Sequence, residues 1–250
     1  MAPSNAPHPV ALVTGAARRV GAEIARTLHA AGYDLALHCH HSRAELDTLI
    51  AGLESARGGS TLALQADLSD SDRLPEMIER TIPRFGKLDA LVNNAAAFFP
   101  TPFGEITAQQ CDALFATNAR APLLLAQAAA PALKQSGGAI VNIVDIYAQH
   151  PLPGHAAYCL SKAALSMATL ALAQQLAPEV RVNGVAPGNV LWPEQPGNAE
   201  AMAAILQRTA LKRQGSPRDI AGAVLWLLRD APYVTGQILR VDGGRGLETY

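Results

Sequence analysis

Seven short apolar runs, at residues 10–14, 35–38, 62–65, 90–93, 139–144, 180–185 and 238–241, alternate along this chain with longer amphipathic stretches. Each run has the length and content of a strand buried on both faces. Helices are predicted between them at 21–31, 43–56, 72–85, 107–135, 156–177 and 217–229. Strand, helix, strand in this repetition predicts a doubly wound α/β fold, a seven-stranded parallel sheet with helices on both faces. At 250 residues and 49% hydrophobic content, residues 1–250 suit a single domain, and nothing repeats at a fixed period. The Pro- and Gly-rich patch at 192–197 reads as part of a surface loop, about 189–215, rather than a linker.

Charge narrows the partners. A formal net charge of −1 with 16% charged residues leaves no basic stripe for nucleic acid or an anionic membrane, so small molecules are the expected ligands. Cys39, Cys111 and Cys159 lack metal or redox spacing, and the N-terminus lacks a charged segment followed by a long apolar one. A cytoplasmic protein with free thiols is expected. Uncharged runs such as 121–133 are too short to span a bilayer and contain Pro122 and Pro131.

Ligands of a doubly wound sheet sit beyond the carboxyl ends of its strands. The first strand runs directly into "TGAARRVG", residues 14–21, followed by a helix. Glycine there lets backbone amides and a helix N-terminus approach a pyrophosphate, although the same pattern also serves an ordinary strand-to-helix turn. Gly15 and Gly21 enclose five residues, Ala16, Ala17, Arg18, Arg19 and Val20, and Arg19 stands where a middle glycine is common. After the second strand, a carboxylate would accept bonds from the ribose hydroxyls of NAD; here the segment is "HCHHSR", His38 to Arg43. His38, His40, His41 and Ser42, with Arg18 and Arg19, offer donors for a 2′-phosphate, which favours NADPH over NADH. The competing reading is a solvated loop. No separated carboxylate or cysteine completes a metal set with these histidines.

Three further residues carry chemistry. Asp145 ends the fifth apolar run, where burying an unpaired carboxylate costs several kcal/mol. Tyr158 and Lys162 lie four apart on a predicted helix and share a face. An ammonium near a phenol lowers its pKa toward working pH, which suits a proton donor, though a tyrosine beside a solvated lysine is also common. Asn118 lies in the long predicted helix, where its amide could hold a water against the lysine.

In their joint order, Thr14-Gly15 to Gly21, Asp67-Leu68, "NNAA" at 93–96, Asn118, Tyr158 with Lys162, Pro187-Gly188 and "VTGQILRVDGG" at 234–244 resemble the short-chain dehydrogenase/reductase family over nearly the whole chain. The resemblance implies a Rossmann fold in which Tyr158 donates the proton, Lys162 binds the nicotinamide ribose and Asn118 supports a proton relay. It also implies that Asp67 and Leu68 contact the adenine, that the backbone of Asn94, Ala95 and Ala96 flanks the cofactor, and that the family's tetramer forms through the two long helices, 107–135 and 156–177. A homotetramer is expected. Most members place a serine where this chain has Asp145. A carboxylate beside a developing alkoxide opposes it by on the order of 1–4 kcal/mol. Reduction of a C=N bond, where nitrogen gains a proton, suits the acid instead.

With "HCHHSR", "NNAAAFFPTP" at 93–102 and the Asp145, Tyr158, Lys162 trio, the chain more narrowly resembles pteridine reductases, which reduce pterins and folates with NADPH. That branch implies stacking of Phe98 on the substrate, as an alternative to core packing, and contact of Arg19 with both cofactor phosphate and substrate. Ala96 and Ala97 replace serines common in the branch. Leu191, Trp192 and Tyr147 are expected to wall a flat ring, and His155 to cap or pack the start of its helix. The expected activity is reduction of a dihydropterin, dihydrofolate or oxidised pterin. The rivals are a carbonyl or 3-oxoacyl reductase and a non-catalytic NADPH-binding regulator.

Overall fold

A computed structural model describes residues 8–191 and 199–247. Strands β1 (Val10–Val13), β2 (Asp34–Cys39), β3 (Thr61–Gln65), β4 (Ala90–Asn93), β5 (Ala139–Ile143), β6 (Arg181–Pro187) and β7 (Ile238–Val241) form one parallel sheet in the order 3-2-1-4-5-6-7. Its helices are α1 (Arg19–Ala30), α2 (Arg43–Ala56), α3 (Leu74–Phe85), α4 (Ala108–Phe115), α5 (Ala121–Ser136), α6 (Ala156–Leu176), α7 (Ala199–Gln207) and α8 (Pro217–Leu225). The expected single-domain architecture is therefore present.

Alternation along each strand feeds two cores. In β1, Ala11 and Val13 face a cluster with α1, α2 and α8, while Val10 and Leu12 face one with α3, α5 and α6. Because both faces are covered, the strands read as continuous apolar runs rather than as alternating ones. The chain winds outward from β1 through β2 to β3, then returns to β4 and winds the other way. The reversal leaves a crevice beyond the ends of β1 and β4, where such sheets take their ligands.

Two departures bear on the site. The predicted 107–135 helix is interrupted by a wide turn at Ala116–Arg120 between α4 and α5, centred on Asn118. Wide turns inside helices recur at functional sites because they displace backbone groups from the regular ladder. The second departure concerns α6, which is long and apolar enough to cross a membrane by length and composition. Half of its apolar stretch is buried inside the fold, and it bears Tyr158 and Lys162, so it is a core helix of this domain.

Candidate active site

A cleft of about 620 Å³ opens beyond the ends of β1, β2, β4 and β5, lined among others by Gly15, Arg19, His41, Asn94, Asp145 and Tyr158. Its floor is the glycine turn. Gly15 adopts φ +63°, and a Cβ there would stand 2.9 Å from the Ala95 Cα; a Cβ at Gly21 would run into the Gly15 carbonyl and lie 2.6 Å from Asn94 Nδ2. Space that only glycine leaves is what a pyrophosphate needs at the N-terminus of α1. Arg19, at φ +55°, occupies the left-handed region a glycine would take without strain, a conformation costing about 1–3 kcal/mol for other residues. It lines the cleft with Arg18 and Val20.

Hydrogen bonds lock this floor to the neighbouring strand. The Thr14 hydroxyl accepts from the Asn94 and Ala95 amides, both at 3.0 Å. The Asn94 side-chain amide donates to the Thr14 and Gly15 carbonyls at 2.9 and 3.0 Å. Ala95, Ala96 and Ala97 continue along the cleft wall.

At the end of the cleft beyond β2, His40, His41 and Ser42 line it. The two imidazoles pack with centroids 3.5 Å apart, and His40 Nε2 lies 3.7 Å from Asp67 Oδ2. Leu68 lines the cleft, whereas the Asp67 carboxylate accepts from the Ser69 amide at 2.8 Å. That amide holds the Asp67 carboxyl below its usual range. His38 departs from its expected part as a phosphate donor. Its side chain is buried, with Nδ1 accepting from the Gly15 amide at 3.2 Å and Nε2 3.0 Å from the Ala66 carbonyl. A carbonyl can only accept, so Nε2 carries the proton and the ring is neutral. Burial lowers its pKa in the same sense. His38 braces the glycine turn against β3.

At the opposite end, beyond β5, the Tyr158 hydroxyl donates to Asp145 Oδ2 at 2.6 Å, and Asp145 Oδ1 accepts from the Tyr147 amide at 2.9 Å. The aspartate thereby caps the turn at Ile146–Ala148 while facing the phenol. Burial pushes its carboxyl pKa up against the lowering effect of these bonds and of Lys162. Tyr158 is also pushed up, first by burial and then by the Asp145 charge. The expected lowering of the phenol pKa by Lys162 is thus reversed here, because burial first and the Asp145 charge second disfavour the phenolate. Lys162 is wholly buried, donates to the Ile143 carbonyl at 2.9 Å, and is pushed down to about 8 by burial.

Asn118 also has a different task from the water-holding one expected of its side chain. Its Oδ1 accepts from the Ala97 amide at 2.8 Å, and its Nδ2 donates to the Ala97 carbonyl and to Ser161 Oγ at 2.9 and 3.0 Å. Both amide protons are spent on fastening the cleft wall to α6. Gly188 is likewise committed to packing, with its amide donating to Val241 at 3.0 Å and no room for a Cβ beside Asp242, while Pro187 lines the cleft.

The Phe98 ring stands edge-on to Tyr158 at 4.7 Å and stacks on His155 at 4.8 Å. It remains 57% exposed, one residue beyond the cleft-lining Ala97. His155 packs at the start of α6 without a side-chain cap bond. Tyr147 lines a neighbouring cavity, Leu191 is half-buried, and Trp192 lies outside the described residues. Sequence reasoning missed Ala97, Thr117, Ile143 and Val144, which also line the cleft. Their signal was adjacency to the "NNAA", Asn118 and Asp145 positions.

Residues 15–245 match the family model described as Enoyl-(Acyl carrier protein) reductase. The chain belongs to the short-chain dehydrogenase/reductase family. It is an oxidoreductase of that family, whose members use nicotinamide dinucleotides. It is similar to pteridine reductase 1 of Leishmania tarentolae, 34% identical with 96% of each chain covered. It is similar as well to a 3-oxoacyl-[acyl-carrier-protein] reductase of Synechocystis, 35% identical over 94% of this chain and 96% of the other. An uncharacterized oxidoreductase of Methylorubrum extorquens is also 35% identical, again with 94% and 96% covered. Identity alone does not separate pterin from oxoacyl substrates.

Proposed function

We propose that this protein is an NADPH-dependent pteridine reductase. The observation that carries the reading is the 2.6 Å bond from the Tyr158 hydroxyl to Asp145. As a carboxylate, Asp145 opposes alkoxide formation, and in its protonated form it can feed a proton through the phenol to a ring nitrogen. Bound NADPH supplies the hydride, which adds to a ring carbon of a dihydropterin, dihydrofolate or oxidised pterin. Tyr158 gives its proton to the adjacent nitrogen, and protonated Asp145 restores it across the same hydrogen bond. Lys162 is read as anchoring the nicotinamide ribose, and Phe98 as the stacking face for the pterin. Arg19 reaches from the glycine turn toward both ligands, while Arg18, His40, His41 and Ser42 receive the 2′-phosphate.

Residues 189–215 serve as the substrate-side segment of the single domain in this reading. The oxoacyl reductase reading draws support from the Synechocystis relative, and substitution at one position separates the two. NADPH oxidation, with NADH as control, should be followed with dihydrobiopterin, dihydrofolate and a panel of ketones. Asp145→Ser is expected to lower pterin turnover about 100-fold, the scale of one lost general acid, and to raise ketone turnover. Pterin turnover equal to that of the unaltered enzyme would remove the proposed role.

A further inference from the structure

One turn beyond Asp145 lies a second cavity, of about 260 Å³, walled by Tyr147, His150, Leu152, Arg208 and Arg245. It adjoins the catalytic centre physically, because Tyr147 and Leu152 pack in the same apolar cluster as Tyr158. Its polar character is one-sided. No acidic residue lines it among the described residues, and the nearby Asp242 carboxylate accepts from the Gly244 and Gly246 amides at 2.9 and 2.7 Å.

Both arginines retain donor capacity. Arg245 reaches the Ile205 carbonyl at 3.4 Å and the Tyr147 hydroxyl at 3.5 Å, both at the long limit of a hydrogen bond, and pairs with no carboxylate among the described residues. Arg208 is exposed at the cavity rim and has no ion pair with a described residue. His150 contributes an independent sign of a ligand: its Nε2 is buried without a hydrogen-bond partner, a position that costs free energy unless something supplies one. Two guanidinium forks and an orphaned imidazole nitrogen over an apolar wall match a planar carboxylate at the end of an aromatic spacer.

We infer that this cavity binds the acidic tail of the substrate, so that the enzyme selects folate-type pterins over pterins with neutral side chains. The inference rests on the pterin reading for its ring site, but the tail site can be tested separately. In NADPH-saturated enzyme, binding of p-aminobenzoylglutamate, a tail without a pterin, should be measured by calorimetry. Arg208→Gln is expected to weaken it about tenfold, with Arg208→Lys intermediate because a point charge replaces the fork. In steady-state assays, Arg208→Gln should shrink the ratio of KM for dihydrobiopterin to KM for dihydrofolate by a similar factor.

Unaltered fragment binding and an unaltered KM ratio in Arg208→Gln would overturn the inference while leaving pterin turnover, and hence the ring reading, intact. Fragment binding that depends on Arg208 in an enzyme turning over no pterin would keep the carboxylate site and discard the ring reading. Tighter binding of pantetheine 4′-phosphate than of the carboxylate fragment would overturn the inference in favour of an acyl carrier's arm.

Discussion

At residue scale, the chemistry turns on where protons rest. Asp145 and Tyr158 both have raised pKa values because burial disfavours their charged forms; the Asp145 charge raises the phenol further, whereas the bond from Tyr158 acts to lower the carboxyl. If protonated Asp145 reloads the phenol, pterin reduction is fastest where that carboxyl holds its proton. The rate then falls as pH rises through its raised pKa. A second decline follows above about 8, where Lys162 loses its charge. In Asp145→Asn the first limb should vanish and the rate should drop about 100-fold. The Lys162 limb should move to lower pH, because the Asp145 charge that raised the lysine pKa is gone. A kcat profile between pH 5 and 9.5 (about the range in which these groups titrate) checks this, and an unchanged acid-side limb in the variant would exclude Asp145 as the proton source.

At the scale of elements, the glycine turn and the wide turn of the α4–α5 helix hold the cleft open from opposite sides. Gly21 lets α1 begin against the Gly15 carbonyl and Asn94, and Asn118 ties the Ala97 backbone to α6 through Ser161. Gly21→Ala should therefore push α1 away from β4. We expect at least a tenfold loss of NADPH affinity by fluorescence titration, and a destabilisation of about 1–3 kcal/mol in denaturant unfolding. Wild-type affinity in this variant would show that the pyrophosphate sits elsewhere. The histidines of "HCHHSR" diverge for a reason that belongs to the strand. His38 lies on β2, buried at the cleft wall with both ring nitrogens engaged by the Gly15 and Ala66 backbone, whereas His40 and His41 follow the strand and are exposed at the cleft.

At the scale of the whole molecule, apolar side chains remain uncovered on α5 and α6. Leu123 on α5 is 45% exposed, and on α6 Leu160 and Met167 are 62% and 64% exposed. Large apolar side chains left exposed on these helices are costly in a monomer, and we propose that they are buried in a homotetramer. Light scattering coupled to size exclusion should give four times the 26.2 kDa chain mass, and Leu160→Lys should release smaller species. A monomer at micromolar concentration would refute this.

Much of this was legible in the sequence. Apolar runs buried on both faces spell out a parallel sheet, and the side chains that end them, Thr14, Asn93 and Asp145, fall at its carboxyl edge whatever the details of packing. Local chemistry likewise marked the glycine turn, the Tyr158–Lys162 pair and the absence of a carboxylate after β2. Direction and partnership were decided only by tertiary structure. His38 became a brace and Asn118 a fastener because backbone groups distant in sequence, at Ala66 and Ala97, arrived within hydrogen-bonding reach. The second cavity, with Arg208 and Arg245 meeting the turn after Asp145, has no sequence signature, since it exists only where three separated segments converge. Periodicity encodes which face of an element is buried; it carries no information on which polar group will meet another across the fold.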